Sequence, residues 1–133
     1  MRWPFRRHQR PVPGPDRRPA GHARADAPPL LLLTGDIEAN QEAALVARLG
    51  AGLRSQGLLV PHHGSKTSSS EAFIGAVAPG TAVAQAGYRS RFGHPAPDVL
   101  ARYAARGIDV VRSDQCGAWV WHDDAASCTR DVR

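Results

Sequence analysis

Short apolar runs that end abruptly in chemistry-bearing residues constrain this chain more than its overall composition does. Leu30 to Leu33 is followed at once by Thr34-Gly35-Asp36, and Leu58-Leu59-Val60 by Pro61-His62-His63-Gly64-Ser65. A run this short, bounded by turn residues, reads as a buried strand, because helices in globular proteins take about 10 residues or more. A third run, Thr81 to Ala86, leads through a loop to Arg91-Phe92-Gly93-His94-Pro95. Three strand ends would thus deliver one Asp and three His to a shared cleft. A metallohydrolase needs its ligands at such places, since the strand fixes the backbone and the turn after it aims the side chain.

The stretches between these runs read as helices. Glu38 to Leu49 carries Ala43, Leu45, Val46 and Leu49 at a three-to-four residue apolar spacing and is stopped by Gly50 and Gly52. Ser68 and Glu71 have capping-box spacing ahead of a short helix, Ala72 to Val77, which Pro79-Gly80 terminates. A third helix runs from about Asp98 to Arg106 with Val99, Leu100 and Tyr103 inward. Asp109 to Arg112 and Ala118 to Trp121 read as two closing strands, the latter placing Trp119 and Trp121 on one face, as core residues rather than stacking platforms. The resulting order, β-α-β-α-β-α-β-β, is an α/β pattern. His122, beside Asp123 and Asp124, reads as the solvated end of the last strand, and residues 123 to 133 as a tail.

Charge is unevenly spread. Residues 1 to 29 hold seven Arg, two acidic residues and seven of the eleven prolines, whereas residues 30 to 133 hold ten basic and ten acidic residues. The first segment has no apolar period with which to offset its ordering entropy, so it is expected to be disordered. The high charge therefore describes a tail and not a face of the domain. No basic start followed by an apolar stretch precedes Leu30, and no run approaches the ~20 apolar residues of a membrane span. Cys116 and Cys128 lack the CxxC spacing of a zinc knuckle and read as neither metal ligands nor a disulfide framework.

Each polar motif has a plainer reading by itself. Asp36 could cap a helix, His62-His63-Gly64-Ser65 could be a polar turn, and His94 before Pro95 could stiffen a loop. Their co-occurrence favours the ligand reading. The stretches LLLTGDIEANQEAAL, LLVPHHGSKTSSSEAF, GYRSRFGHP and VLARY, spread from Leu31 to about Trp121, resemble the C-terminal part of the metallo-beta-lactamase-fold domain of the bacterial DNA-internalisation competence protein, the ComEC family.

That resemblance implies half of an αββα sandwich in residues 30 to 122. It implies a site where two divalent cations, Zn or Mn, activate water against phosphodiester bonds of DNA. Mapped onto this chain, Asp36 bridges the metals, and His94 or one of His62 and His63 is a late ligand, giving Asp36, His63 and His94 as the metal set. The remaining histidine of the His62 and His63 pair would hold the scissile phosphate or protonate the leaving oxygen, with Ser65, Lys66 and Arg91 near phosphate oxygens.

The HxHxDH-type motif that supplies most ligands in such a domain does not occur, the upstream histidines being only His8 and His22. The expectation is a truncated fragment of a DNA-uptake protein, its first 29 residues either translated from a wrong frame or from non-coding DNA, or forming a natural basic linker, with metal bound weakly or not at all and no activity alone. Its partners would be DNA, the missing half of the domain and the membrane channel of an inner-membrane parent. Expressed alone, without an anchor, it would be soluble, cytoplasmic or aggregated, and strands left uncovered could self-associate. The alternative is a basic-tailed nucleic-acid-binding module without catalysis.

Overall fold

The computed structural model describes residues 28 to 122 and 125 to 130. The Arg- and Pro-rich segment expected to be disordered lies outside them, save for Pro28 and Pro29. Four parallel strands form the sheet: β1 (Leu31–Leu32), β2 (Gly57–Leu59), β3 (Thr81–Ala84) and β4 (Asp109–Arg112), in the spatial order β1-β2-β3-β4. Helices α1 (Ala39–Leu49), α2 (Glu71–Val77) and α3 (Pro97–Ala105) make the three crossovers. Because strand order follows chain order and parallel crossovers share one hand, the three helices lie on one face of the sheet.

Alternation along the strands agrees with that layering. Leu58, Val60, Ala82 and Ala84 are buried, and they share a core with Phe73, Ile74 and Val77 of α2 and Val99 and Tyr103 of α3. Leu59 and Val83, pointing the other way, are only half-buried. On that second face a two-stranded antiparallel hairpin, β5 (Trp119–His122) with β6 (Ala125–Cys128), reaches β1 and β2. A Cβ at Gly57 would stand 3.2 Å from the Trp121 ring and 3.1 Å from Leu31, so the indole packs closely against the glycine backbone there.

Several elements differ from the sequence-based expectation, each for a physical reason. The Leu30 to Leu33 run is not buried: β1 is the sheet edge, and Leu30 and Leu33 are 65% and 66% exposed. On α1 the inward face is Glu42, Leu45 and Val46, while Ala43 and Leu49 face solvent. Ser70, not Ser68, caps α2 by accepting from the Phe73 N–H at 3.4 Å; the Ser68 hydroxyl donates instead to the Pro61 carbonyl at 2.8 Å. Leu100 is half-buried, whereas Val99 and Tyr103 are fully buried as expected.

Two elements were not foreseen, α4 (Ser113–Cys116) and β6. The cysteine reading also needs correction, because Cys116 and Cys128 form a disulfide across the base of the hairpin. Residues 123 to 133 read as a tail from the sequence, so the strand within them that brings Cys128 back beside Trp119 was not expected. Among the described residues no helix is long and apolar enough to cross a membrane.

Candidate functional site

The carboxyl ends of β1, β2 and β3 open onto one cleft, and the turn after β2 is its centre. Residues Pro61–Gly64 make a tight turn in which His62 (φ 47°, ψ 44°) and His63 (φ 55°, ψ 17°) both adopt the left-handed conformation. That conformation costs a non-glycine residue on the order of 1–2 kcal/mol, and runs of it cluster where function demands a particular aim. Main-chain bonds hold the turn: the His62 N–H donates to Gly35 O at 3.0 Å, and the Ser65 N–H to His62 O at 2.9 Å. The Thr34 hydroxyl adds a bond to Leu59 O at 3.2 Å, so the ends of β1 and β2 are clamped together.

His63 carries the most informative geometry. Its Nδ1 lies 3.0 Å from the Gln85 carbonyl just past β3, and a carbonyl can only accept, so Nδ1 bears the proton. The other nitrogen, Nε2, faces Asp36 Oδ1 at 3.5 Å. A neutral ring would turn a lone pair on a carboxylate, which is repulsive. Both side chains are open to solvent, and the two atoms are placed so that a cation between them could take both as donors. Two ligand atoms of a tetrahedral Zn²⁺ with bonds of ~2.05 Å stand about 3.3 Å apart, and a carbonyl-anchored Nδ1 is the usual support of a metal-binding imidazole.

These two donors fit one edge of a coordination shell. They do not complete one: among the described residues no group of three or more His, Cys, Asp or Glu side chains is placed to hold a metal ion.

His62 and His94 lie beside this pair. The His62 ring centroid is 6.4 Å from that of His63 and 6.3 Å from that of His94. Glu38 Oε1 is 3.1 Å from His62 Nδ1 without hydrogen-bonding geometry, which leaves that buried nitrogen unbonded. His94 precedes a cis peptide to Pro95 and lines, with His63, Gln85 and Phe92, a cleft of about 250 Å³. Gly64 joins the two histidine loops: its carbonyl accepts from the Ala96 N–H at 2.8 Å, and a Cβ on it would lie 2.5 Å from Pro95 Cβ. Of the expected phosphate contacts, Ser65 bonds Thr67 Oγ1 at 3.1 Å, while Lys66 and Arg91 are exposed.

Two residues that matter here were not singled out in the sequence. Glu38 accepts from the Thr67 hydroxyl at 2.9 Å as well as approaching His62, tying the start of α1 to the loop. Glu42 is fully buried, and its carboxylate accepts from the N–H groups of Ser69 (2.6 Å) and Ser70 (2.8 Å). Arg102 donates to the carbonyls of Ser68 and Ser69, and the Tyr103 hydroxyl bonds Ser69 Oγ at 3.1 Å. Burial, reinforced by the nearby Glu42 charge, pushes the Tyr103 hydroxyl up to about 12 despite the Ser69 bond and Arg102. A network of side chains from α1 and α3 thus fixes the far end of the loop that begins with the histidines. The one available signal was periodic, since Glu42 stands three and four residues before Leu45 and Val46.

Comparison with known proteins adds a relationship. The chain is 47% identical over 88 residues to "Competence protein ComA" of Neisseria gonorrhoeae, a match covering 66% of this chain and 13% of that protein. It is 40% identical over 86 residues to "ComE operon protein 3" of Bacillus subtilis (strain 168), covering 65% and 11%. It is 39% identical over 87 residues to "Uncharacterized protein YcaI" of Escherichia coli (strain K12), covering 65% and 12%. The chain is therefore homologous to competence proteins over about two thirds of its length, and the match spans about an eighth of theirs. No protein-family model matches the chain, and no solved structure matches it.

Proposed function

We propose that this chain carries the C-terminal part of a metallo-beta-lactamase-type domain that acts as a metal-dependent phosphodiesterase on DNA during competence-linked uptake, and that the chain alone lacks the activity. The observation that carries this reading is the pairing of Asp36 Oδ1 with His63 Nε2, with the imidazole proton held on the far side by Gln85. Homology to competence proteins supports the DNA-uptake context. In this reading Asp36 and His63 contribute one edge of a metal's ligand set, and His94 joins from the neighbouring loop. The cation, Zn or Mn, when bound lowers the pKa of water and offsets charge on phosphate. His62, whose buried Nδ1 has no hydrogen bond, holds the scissile phosphate or delivers a proton to the leaving oxygen.

A site of this kind takes about four ligands or more per ion, so the remaining ones come from outside the described residues or from another chain. The half-covered second face of the sheet and the exposed β1 edge are where the rest of the domain, or a second copy, would pack.

The test is elemental analysis of purified chain after exchange into excess Mn²⁺ or Zn²⁺, with a single-stranded oligonucleotide digested in parallel. Substoichiometric metal and no turnover are expected. Two metals per chain, with cleavage that disappears in Asp36→Ala, would refute the claim that the site is incomplete. The alternative, a basic-tailed module binding nucleic acid without catalysis, predicts affinity that survives Asp36→Ala and disappears when residues 1 to 29 are removed.

A further inference from the structure

The loop between β3 and α3 contains two exposed aromatic rings, each with its own arginine. Tyr88 and Phe92 are 72% and 69% exposed, among the most exposed large side chains described. Arg89 stacks over the Tyr88 ring at 5.4 Å from its centroid, and Arg91 over Phe92 at 5.2 Å. Neither guanidinium has a carboxylate within ion-pair distance among the described residues, although Arg112, further along, is paired with Asp114. Two exposed rings, each paired with a cation in one short loop, offer apolar faces and positive charge together to a partner.

The loop is also held in shape. Ser90 N–H donates to Gly87 O at 3.0 Å and Gly93 N–H to Ser90 O at 3.1 Å, making two successive turns. At its start Ala86 is bonded through both N–H and carbonyl to the Ser113 hydroxyl, at 2.8 and 3.1 Å. At its end Ala96 is bonded to Gly64 at 2.8 Å. A tethered loop loses little freedom on binding, which is what a recognition surface requires. Its position is equally specific. Phe92 and Ser90 wall the cleft that contains His63 and His94, and the Phe92 and His94 rings are 6.1 Å apart.

We infer that residues 87 to 93 form a platform for single-stranded nucleic acid, with Tyr88 and Phe92 stacking on bases while Arg89 and Arg91 hold the flanking phosphates and feed the strand to the histidine cleft. The inference rests on the proposed phosphodiesterase reading for the identity of the cleft. Stacking requires an exposed base face, which a single strand offers and a duplex hides between neighbouring pairs. The loop orders its groups as ring, cation, Ser, cation, ring, so both guanidiniums lie between the two rings in sequence. It also carries no hydrogen-bonding pattern that would read sequence, so recognition is tolerant of base identity.

The experiment measures binding of the full chain, without added metal, to a fluorescent oligothymidine, to the same length of abasic strand and to a duplex, for wild type and Tyr88→Ala/Phe92→Ala. The platform requires that the double variant bind the oligothymidine roughly 5-fold or more weaker, as loss of even one stacked base would give, while abasic-strand and duplex binding stay unchanged. Tyr88→Phe/Phe92→Tyr restores the wild-type preference, and photocrosslinks from 5-iododeoxyuridine map to positions 88 and 92. Replacing Arg89 and Arg91 by Gln lowers the salt dependence of oligothymidine binding. Equal loss for all three ligands, or no loss, overturns the inference. So does an outcome in which the aromatic variant loses binding only to anionic vesicles, which would make the loop a membrane contact. Failure of the hydrolytic reading shows up separately, as absence of metal uptake and cleavage even when partner segments are supplied, and leaves these binding results standing.

Discussion

Replacing Gly64 by alanine tests how the two histidine loops are joined. Gly64 has φ +79°, and an added Cβ would meet Pro95 Cβ at 2.5 Å and Pro95 Cα at 2.9 Å. Left-handed backbone costs an alanine about 1–2 kcal/mol, and forcing a methyl into a filled contact adds about 1–3 kcal/mol. Gly93 supplies the control, because it has φ +65° with nothing within 4 Å of its added Cβ. Gly93→Ala should therefore cost only the backbone part, about 1–2 kcal/mol, and Gly64→Ala roughly 2–5 kcal/mol with the steric part included. With a urea slope on the order of 1–2 kcal/mol/M, the steric part of about 1–3 kcal/mol should separate the two midpoints by roughly 0.5–3 M when unfolding is followed by circular dichroism. Coincident midpoints would mean that Pro95 does not lie against Gly64, and the geometry that places His94 beside His62 and His63 would fall with it.

Glu42→Ala should destabilise the chain by about 2–6 kcal/mol, since the Ser69 and Ser70 N–H groups each lose a buried acceptor worth about 1–3 kcal/mol; a denaturation midpoint within error of wild type would refute this. Reducing the disulfide, whose partners are 12 residues apart, should remove about 3 kcal/mol of constraint on the hairpin. Hydrogen exchange should then speed up at β5 and β6 while β2 and β3 keep their protection, and unchanged exchange at the hairpin would count against the pairing. Tyr103 has a hydroxyl pKa raised from 10.0 to about 12 in the folded chain. The folded state thus keeps a proton that the unfolded state gives up, so stability is full below pH 10 and falls between about 10 and 12. Tyr103→Phe should remove that part of the alkaline slope in a pH series of melts, and an identical slope in the variant would contradict the burial argument.

The strand ends were legible because each ended in a break that only a turn could accommodate, as at Leu33-Thr34-Gly35 and Val60-Pro61. Helix starts and stops were legible to within a residue or two, as for Asp98 to Arg106 against Pro97–Ala105. What stayed hidden was non-local. Glu42 was not singled out from the sequence, and its partners lie 27 and 28 residues further on. Leu30 to Leu33 has the composition of a central strand, but which strand is the edge is decided by sheet order, which no single run encodes. The cysteine pair needed a hairpin whose second strand falls in polar, alanine-containing sequence with no apolar alternation. At the site, Asp36 and His63 were grouped with His94 as the ligand set the resemblance implies, while the aim of the His63 ring depends on the carbonyl of Gln85, a backbone atom that has no signature in the sequence.

The left-handed pair at His62 and His63 has an unusual corollary for mutagenesis. Alanine at either position would delete the imidazole yet inherit the unfavourable torsion, whereas glycine would delete it and relax the turn. The glycine variants should therefore melt higher than their alanine counterparts, and at His63, where the ring is half in solvent, could equal the parent. A site that can lose a side chain without losing stability has been retaining that side chain for something other than its own durability.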